Sequence, residues 1–502
     1  MFEMQRLITR MAQAIIPDVL IIALSLMLCS CAQMPQVIPN HQDQVGDSVK
    51  SMQDDDPVAA LAQLEQKEAT QNFKPDVLFL LEKGELNFIN SKYEAAIQSI
   101  EAADALIRNN EDSQQTKNKI KSMAAATLIS EKLKDYPVKD YEKVMTNVRL
   151  AQAKIALQQV DEARVDIKRS HEREALIEAG ISKKEEELQA LKKEAKTEES
   201  PKVLDGYPVD TINSPEVLAL KNGYQNAFSH YLSGYLYEAM GEPGLAAAGY
   251  RKSIELGGLK NDLDDALAGL DRRMANRGRA DTTDVLIVFE SGNAPQINDK
   301  TFTVPVPTPT GLNTITISYP VIYPSEPGQM PKVKLAGTEA MLVPLTNFNA
   351  MARRTLKDEM PGVITRIITR GAVKGLVQDQ LASQLGIAGS LVGAAGAMLS
   401  EGVDDRSWQT LPEQISIARL RLPPGGYDLL IDGNLAQKGP EKVEVKGAYM
   451  ILPVRLLKNS FRVGNVTYIG QLLLKPSEQK TKPGKKNSQP RKPAKKKKPL
   501  ND

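Results

Sequence analysis

The residues best suited to covalent chemistry stand near the start of the chain, where Cys29 and Cys31 are the only two cysteines among 502 residues. A thiol can act as a nucleophile, a metal ligand or one half of a disulfide. Because both thiols close an apolar run, the rest of the chain has no disulfide and no cysteine-based metal site. The histidines His41, His171 and His230 are scattered and match no metal-ligand spacing. We therefore predict no metal site and no cofactor.

Cys31 ends a segment that has the layout of an export signal. A short basic start leads into an apolar stretch, which closes with Leu28-Cys29-Ser30-Cys31. This ending resembles the bacterial lipobox, in which an aliphatic residue and a small residue precede the cysteine that is acylated. We predict a lipoprotein signal peptide at 1–30 and lipidation of Cys31, with palmitate among the acyl chains. Two alternatives stay open, an uncleaved membrane anchor and a signal peptide without lipid.

The residues after Cys31 indicate in which membrane the protein is anchored. Ala32 and Gln33 place no Asp at the second position, and by resemblance to sorted lipoproteins this implies the outer membrane, with the folded part facing the periplasm. Two or three acyl chains anchor a protein durably where one chain is marginal. Residues 31–56 are polar with little periodicity, which predicts a tether between the membrane and the folded body.

No other motif is as specific as this leader. Glu290-Ser291-Gly292 follows a predicted strand, but it lacks the first glycine of a nucleophile elbow. The glycines at 386–396 follow no strand and lead into no Gly-Lys-Ser/Thr, so they do not match a phosphate-binding loop. We predict no catalytic residue and no enzyme activity, with an undetected envelope hydrolase as the alternative.

From Ala59 onward, apolar residues recur at helical spacing and predict a helical domain at 57–275. Its clearest segment, 229–254, arranges small, aromatic and turn residues in the order of a tetratricopeptide repeat. The residues expected to pack such repeats are Gly84, Ala96, Gly234, Tyr237, Gly241, Ala246 and Tyr250. A degenerate third candidate lies at 160–167. Stacked repeats leave a groove that binds proteins or peptides, and a compact helical body without a binding groove is the alternative.

Within this domain, residues 168–199 are rich in Lys and Glu at close spacing. Opposite charges three or four residues apart stabilise a solvated helix. The segment therefore predicts a long exposed helix or helical hairpin.

From Asp284 the pattern changes to strands and predicts a β domain at 283–475. Residues 285–289 predict a buried strand. The segments 415–422 and 427–431 flank a Pro-Pro-Gly-Gly turn and predict a hairpin, with a bulge near Ile415 where the alternation slips. Several strands with Pro/Gly turns favour a sandwich. The predicted fold class is α+β multidomain, an N-terminal α-helical repeat domain followed by an all-β sandwich-like domain.

A helical insertion interrupts the predicted strands at about 346–401. Its second half places Gly386, Gly389, Gly393 and Gly396 on one helical stripe, as in closely packed helix pairs. Because the uncharged run is too short to span a bilayer, we expect a buried helix. A membrane-inserting or oligomerising element is the alternative.

Basic residues are concentrated at the C-terminus. Residues 475–502 hold eleven Lys or Arg against Glu478 and Asp502, a charge of +9, and because the whole chain carries +2 the rest carries −7. Residues 476–502 have almost no apolar side chains and predict a disordered tail. The candidate contacts to peptidoglycan or lipopolysaccharide are Lys495, Lys496, Lys497 and Lys498. A solubilising tail is the alternative, and an export leader argues against nucleic acid as a partner.

The order of these parts, together with four stretches of sequence, resembles a proteobacterial family of tetratricopeptide-repeat-like envelope lipoproteins. The stretches are 284–294, 318–320, 360–374 and 408–424. The family implies no known activity and no catalytic residues. We predict an outer-membrane lipoprotein that acts as a protein-interaction scaffold or assembly factor of the cell envelope, with envelope proteins as partners. The alternative is an accessory regulator of cell-wall synthesis that binds peptidoglycan or a synthase.

Overall fold

The structure is a computed structural model. It describes residues 41–117, 136–195, 207–258, 260–276, 281–308, 311–325, 330–365, 404–432 and 439–472. Helices come first along the chain and the sheets follow. The predicted order, a helical region and then a region of strands, is confirmed.

The helices lie almost entirely before residue 276. They are α1 (His41–Gln53), α2 (Pro57–Glu68), α3 (Val77–Ile89), α4 (Tyr93–Lys117), α5 (Asp140–Ala156), α6 (Val160–Ala195), α7 (Asp210–Asn213), α8 (Pro215–Leu218), α9 (Ala227–Met240), α10 (Pro243–Gly257), α11 (Lys260–Ala268) and α12 (Leu270–Ala275). A further helix, α13, covers residues 348–365. The long helix predicted from the Lys and Glu pattern is α6, whose described side chains are exposed or half-buried from residue 178 onward.

Among the described helices, four pairs of neighbours share one pattern: α1 with α2, α3 with α4, α5 with α6, and α9 with α10. Each pair is joined by a turn of two or three residues that contains one left-handed residue, namely Asp55, Ser91, Gln158 and Gly241. Seven positions earlier stands a buried small residue, Ser48, Gly84, Ala151 and Gly234. Five positions later stands a fully buried alanine, Ala60, Ala96, Ala163 and Ala246. Small residues at these places let the two helices of a pair approach closely.

The first pair corrects the predicted tether at 31–56. Residues 41–53 form α1, and Val45, Val49 and Met52 are buried against α2 and α3. These apolar side chains are four and three residues apart, which is a helical period hidden among polar neighbours. The folded body therefore begins within the segment predicted to be a tether, and residues 31–40 lie outside the described residues.

In the described part of the chain the strands form three separate sheets. They are β1 (Thr283–Ser291), β2 (Asn298–Thr308), β3 (Gly311–Val321), β4 (Val333–Leu335), β5 (Thr338–Ala340), β6 (Val343–Asn347), β7 (Gln414–Leu422), β8 (Gly425–Ile431), β9 (Glu441–Val445), β10 (Tyr449–Leu456), β11 (Phe461–Val463) and β12 (Thr467–Ile469). The central sheet has the order β11-β10-β1-β7-β6, with β12 also paired to β10. The outer sheet has the order β5-β4-β8-β9, and β2 pairs only with β3 in a hairpin that we call the arm.

The central sheet lies between the helices and the outer sheet. On β1, Leu286 and Val288 belong to the core shared with the helices. Their neighbours Val285, Ile287 and Phe289 belong to a second core shared with the outer sheet. Burial on both faces explains why residues 285–289 are apolar without alternation, and the predicted buried strand is confirmed.

The hairpin predicted at 415–431 is wrong in its pairing. Both strands exist, but β7 pairs with β1 and β6, whereas β8 pairs with β4 and β9. The Pro-Pro-Gly-Gly segment carries the chain from the central to the outer sheet. The predicted bulge in β7 is also wrong, because β7 pairs with β1 without a shift and the irregularity lies in β6 between Pro344 and Thr346. The alternation of β7 fails because Ile415, Ser416, Ile417 and Ala418 are all buried.

The predicted insertion at 346–401 begins as a helix. Residues 348–365 form α13, in which Arg353 is almost fully buried and bonded to Glu216 and Ser214. The glycine stripe at 386–396 lies outside the described residues.

Candidate functional site

The residues predicted to pack the repeats lie where paired helices cross. A Cβ added at Gly84 would collide with Ile100, and one added at Gly234 would lie 2.6 Å from the ring of Tyr250. Gly241 ends α9 with a φ of 88°, a conformation that glycine adopts without strain. Ala96, Ala246 and Tyr250 are fully buried, and Tyr237 is half-buried. Cys31 and the lysines at 495–498 lie outside the described residues.

Gly249 is a packing residue that the repeat pattern did not single out. A Cβ at this position would lie 2.7 Å from the backbone nitrogen of Gly234 and 2.7 Å from the backbone oxygen of His230. The closest approach of α9 and α10 is therefore a contact of backbone with backbone. The spacing of Ala246, Gly249 and Ser253 on one face of α10, at three and four residues, was the available signal.

In three of these pairs one position of the first helix is linked to the central sheet. It is the residue directly after the buried small residue: Glu85 in α3, Gln152 in α5 and Tyr235 in α9. Gln152 donates to Glu290 of β1 at 3.0 Å, and the Tyr235 hydroxyl donates to the backbone oxygen of Asp284 at 2.6 Å. Glu85 reaches β1 through Arg149. The first helices of three pairs thus hold one strand at both of its ends.

At one end of β1, a buried guanidinium joins two carboxylates. Arg149 of α5 bonds Glu290 at 2.7 Å and Glu85 at 2.8 Å, and it lies 4.2 Å from the centre of the Phe88 ring. Burial raises the pKa of Glu85. Burial acts to raise the pKa of Glu290, but the charges and hydrogen bonds of Arg149, Arg455 and Gln152 together hold that pKa below its ordinary value. We call these residues, with Gln152, the Arg149 cluster.

Arg455 of β10 completes the charge balance at this end. It is 6% exposed and donates to Asn293 at 2.9 Å. Burial lowers the pKa of Arg455, and the nearby charges of Glu290 and Glu85 act against that effect. Two carboxylates therefore stand against two guanidiniums, which is the balance that buried charges need.

At the other end of β1, a second network joins α9, α12 and β7. Arg419 of β7 bonds Asp284 at 2.7 Å and Glu238 at 2.8 Å. Glu238 also accepts from Arg273 at 2.6 Å and from the Tyr250 hydroxyl at 2.6 Å. Burial acts to raise the pKa of Glu238, but these partners lower it below its ordinary value. We call these residues the Arg419 cluster. Each charged side chain in it has a partner of opposite charge, which is why charged residues can lie in the buried parts of α9, β1 and β7.

A segment before β7 is held by carboxylates from two helices. Glu82 of α3 accepts from the backbone of Gln409 at 2.8 Å and of Thr410 at 3.1 Å. Glu142 of α5 accepts from the backbone of Trp408 at 2.9 Å. Burial raises the pKa of Glu82 to about 8, although the three donors that surround it act to lower it. Helix side chains of this protein therefore bind main-chain N–H groups directly.

In the first pair the corresponding residue is Val49, which follows Ser48 and lines an open cleft of about 680 Å³. The other lining residues are Gly46, Asp47, Lys50, Gln53, Gln296 and Gln409. Three carboxamides and one opposed pair of charges can both donate and accept hydrogen bonds, so the cleft suits a polar ligand with little net charge.

His171 and His230 stack in the body rather than at a surface. Their ring centres are 4.0 Å apart, His230 bonds Glu174 at 2.9 Å, and His171 lies 3.2 Å from the Ser229 hydroxyl. Burial, together with the neighbouring His230, lowers the pKa of His171 to about 3. Ser229 is fully buried, so this pair of serine and histidine cannot reach a substrate in the folded chain.

The first two residues of the weak nucleophile-elbow motif, Glu290 and Ser291, lie at the end of β1. Glu290 belongs to the Arg149 cluster, and Ser291 ends β1 opposite Gln414. Among the residues that the structure describes, no group of three or more His, Cys, Asp or Glu is placed to hold a metal ion. No helix of that part of the chain is long and apolar enough to cross a membrane.

Comparison with known proteins adds no relative, since no family model, no curated protein and no solved structure matches the chain.

Proposed function

We propose that the protein is a lipid-anchored scaffold of the bacterial cell envelope, which binds a peptide segment of another envelope protein at the cleft beside α1. The observation that carries the proposal is the shared pattern of the four helix pairs. In two pairs the position after the small residue bonds the protein's own sheet directly, in a third it reaches the sheet through Arg149, and in the first pair it lines an open cleft.

We interpret the four pairs as tetratricopeptide-like repeats. The spacing of twelve residues from the small residue to the buried alanine is the same in all four pairs, from Ser48–Ala60 to Gly234–Ala246. A stacked array of such pairs forms a groove along its first helices. In this protein the central sheet fills most of that groove, and we interpret the central and outer sheets as a sandwich. Among the four described pairs, the position at α1 is the one that lines an open cleft, and we place the partner there.

A peptide is the ligand class that fits this position. The carboxamides of Gln53, Gln296 and Gln409 offer both donors and acceptors, as a peptide backbone requires. Glu82 and Glu142 already bind the main chain of 408–410 in the neighbouring part of the helices. A partner segment would continue the same kind of recognition.

The leader supports the location. Cys31 is fifteen positions before Gly46, the first cleft residue along the chain, and a stretch of this length spans at most roughly 50 Å. A cleft so close to an acylated residue would face partners at the periplasmic side of the outer membrane. The basic tail would add salt-sensitive contacts to anionic polymers of the envelope.

The test is site-specific photo-crosslinking in living cells. A photoreactive residue at Gln53 of the full-length chain should give one or a few discrete products that contain envelope proteins. The matched control is Gly180, an open helical position with nothing within 4 Å of its Cβ, and it should give none of these products. In a Cys31→Ser chain the products at Gln53 should fall at least about fivefold, and a Cys29→Ser chain should keep them.

Two results would count against the proposal. Identical products from both positions would show that the cleft is not a specific site. Products unchanged by Cys31→Ser, with the chain released from the membrane fraction, would separate peptide binding from lipid anchoring and remove the anchored part of the proposal.

A further inference from the structure

A short segment before β7, residues 407–411, is attached to the helices by two buried carboxyl groups. Glu82 of α3 accepts from the backbone N–H groups of Gln409 and Thr410 and from the Thr410 hydroxyl. Glu142 of α5 binds the backbone N–H of the residue before them. We call residues 407–411 the bridge segment. Three of its consecutive residues are thus held by groups that can gain or lose a proton.

The bridge segment also carries part of the wall of the cleft beside α1. Gln409 lines the cleft, and its side-chain oxygen lies 3.3 Å from the donating nitrogen of Gln296, which lines the cleft as well. The loop that contains Gln296 is bonded to the bridge segment, because the N–H of Ala294 donates to the backbone oxygen of Leu411 at 2.7 Å. Both carboxamides of this wall are therefore positioned by the bridge segment.

Glu82 is buried without a cation. Its side chain belongs to a residue that is 1% exposed, and its three donors in the described chain are two amides and a hydroxyl, none of them charged. The strongest charge that acts on it is the carboxylate of Glu142, which repels it. Burial and a like charge both favour the neutral acid, and together they raise the pKa of Glu82 from its ordinary value of 4.5 to about 8.

The charged groups of the elements packed around Glu82 have other partners. They are Lys83 with Glu68 and Glu85 with Arg149 on α3, Asp76 with the backbone of Phe79 before α3, Lys139 with Glu359 before α5, and Arg406 with Asp404 before the bridge segment. Asp47 and Lys50 of α1 line the cleft. None of these groups is bonded to Glu82, so a proton is the cation that neutralises it.

The Thr410 hydroxyl lets the closed structure accept that proton. A hydroxyl can both donate and accept, whereas a backbone N–H can only donate. The hydroxyl donates to Glu82 when the carboxyl group is charged, and it accepts from the acid O–H when Glu82 is neutral. The other carboxyl oxygen keeps its 2.8 Å bond to the N–H of Gln409 in both states. The neutral acid therefore fits the same position and removes the buried charge.

We propose that a proton on Glu82 holds the bridge segment against α3, and that loss of this proton at higher pH loosens the wall of the cleft. The use of the cleft as a binding site rests on the proposed function, and the proton-dependent attachment of the bridge segment does not. Glu82 acts on the cleft through Gln409 and is thus a positioning residue.

The direction of the pH dependence follows from the two positions of Glu82. Its pKa is about 8 when the bridge segment is in place, and it has its ordinary value of 4.5 when the group is in water. Between these values the closed state holds a proton that the open state has lost. Each unit of rising pH therefore favours the open state about tenfold, and above pH 8 the effect ends.

The test is amide hydrogen exchange of the purified full chain, with mass spectrometry of peptides that contain residues 408–411. After correction for the intrinsic exchange rate, the protection of these peptides in the parent should fall about tenfold per pH unit between pH 6 and pH 8. In Glu82→Gln, which keeps the shape of the neutral acid, it should change less than about twofold. The matched control is Glu65→Gln, an exposed glutamate of α2, which should behave like the parent.

Peptides from β10 supply the reference for unfolding of the whole chain. At pH 8 the protection of residues 408–411 should be at least about tenfold lower than that of β10, because the bridge segment opens locally. Equal protection of the two regions would overturn the proposal. A pH dependence that persists in Glu82→Gln would do the same. If Glu82→Gln fails to fold, the parent decides, since protection at 408–411 that does not change with pH refutes the proposal.

This experiment contains no ligand, so its outcome is independent of photo-crosslinking at Gln53. An absence of crosslinked partners would remove the proposed function and leave the attachment of the bridge segment. Protection that is independent of pH would remove the role of Glu82 and leave binding at the cleft.

Discussion

Single residues join the helices to the sheet. Glu85, Gln152 and Tyr235 occupy the same place in three helix pairs, yet they are an acid, an amide and a phenol. Each is matched to what it meets: Arg149 for Glu85, the Glu290 carboxylate for Gln152, and a backbone oxygen for Tyr235. The repeat pattern of small residues and turns fixes where this residue lies but not its type, because the type depends on the residue that it contacts in the folded chain.

Replacement of Arg149 by Met should destabilise the protein by about 3–5 kcal/mol, since it leaves Glu85 and Glu290 buried without their partner. Denaturant unfolding of the purified chain measures the change. The matched control is Arg164→Met, which removes an exposed pair with Glu242 and should cost less than about 1 kcal/mol. Equal losses in the two variants would show that the Arg149 cluster adds nothing beyond a surface ion pair.

A combined variant separates charge from shape in the same cluster. Arg149→Met and Arg455→Met with Glu85→Gln and Glu290→Gln removes all four charges at this end of β1 and approximately keeps the volumes. It should recover more than half of the stability lost in Arg149→Met, because replacing a whole buried ion network by neutral groups is often close to neutral.

At the scale of elements, the helix pairs depend on close backbone approach. Gly249→Ala should destabilise the protein by about 1–3 kcal/mol, because the added methyl group meets the backbone of α9 at 2.7 Å and no side chain can move aside. Gly180→Ala is the matched control in an open part of α6, where alanine should stabilise the helix by up to about 1 kcal/mol. Thermal melting of both variants measures the two changes. A Gly249→Ala chain as stable as the parent would contradict the close crossing of α9 and α10.

The strands show that local sequence patterns predict where a strand lies but not which strand it pairs with. Residues 285–289 predict a buried strand from composition alone, and β1 is that strand. The segments on both sides of the Pro-Pro-Gly-Gly turn are also strands, but they belong to different sheets. A turn of two residues usually joins paired neighbours. Here β7 is already paired on both sides, with β1 and β6, so β8 is left to pair in the outer sheet.

At the scale of the molecule, the helices and the central sheet form one body. The apolar residues where they meet belong to one core that runs from Val77 to Ile451, and the Arg149 and Arg419 clusters lie at the two ends of β1. Shared burial of this kind couples the stabilities of both parts.

Unfolding should therefore be a single transition. Trp408, the only tryptophan, is buried in the shared core and bonded to Glu142 of α5, so its fluorescence reports on the junction. Circular dichroism at 222 nm reports mainly on the helices. The two midpoints in denaturant should coincide within experimental error. A fluorescence change that clearly precedes the loss of helix would show that the sheet separates from helices that fold alone.

The sequence by itself determined the local features: helices from period and small residues, strands from apolar runs, and a candidate acylation site in the leader. These depend on neighbours within one or two turns, so the chain displays them directly. Only the tertiary structure decided that α1 joins the folded body, that β7 and β8 lie in different sheets, and that the central sheet covers the face of three helix pairs. Those outcomes depend on contacts between residues as far apart as Arg149 and Glu290. A buried charge shows its partner only when the fold has brought the two together.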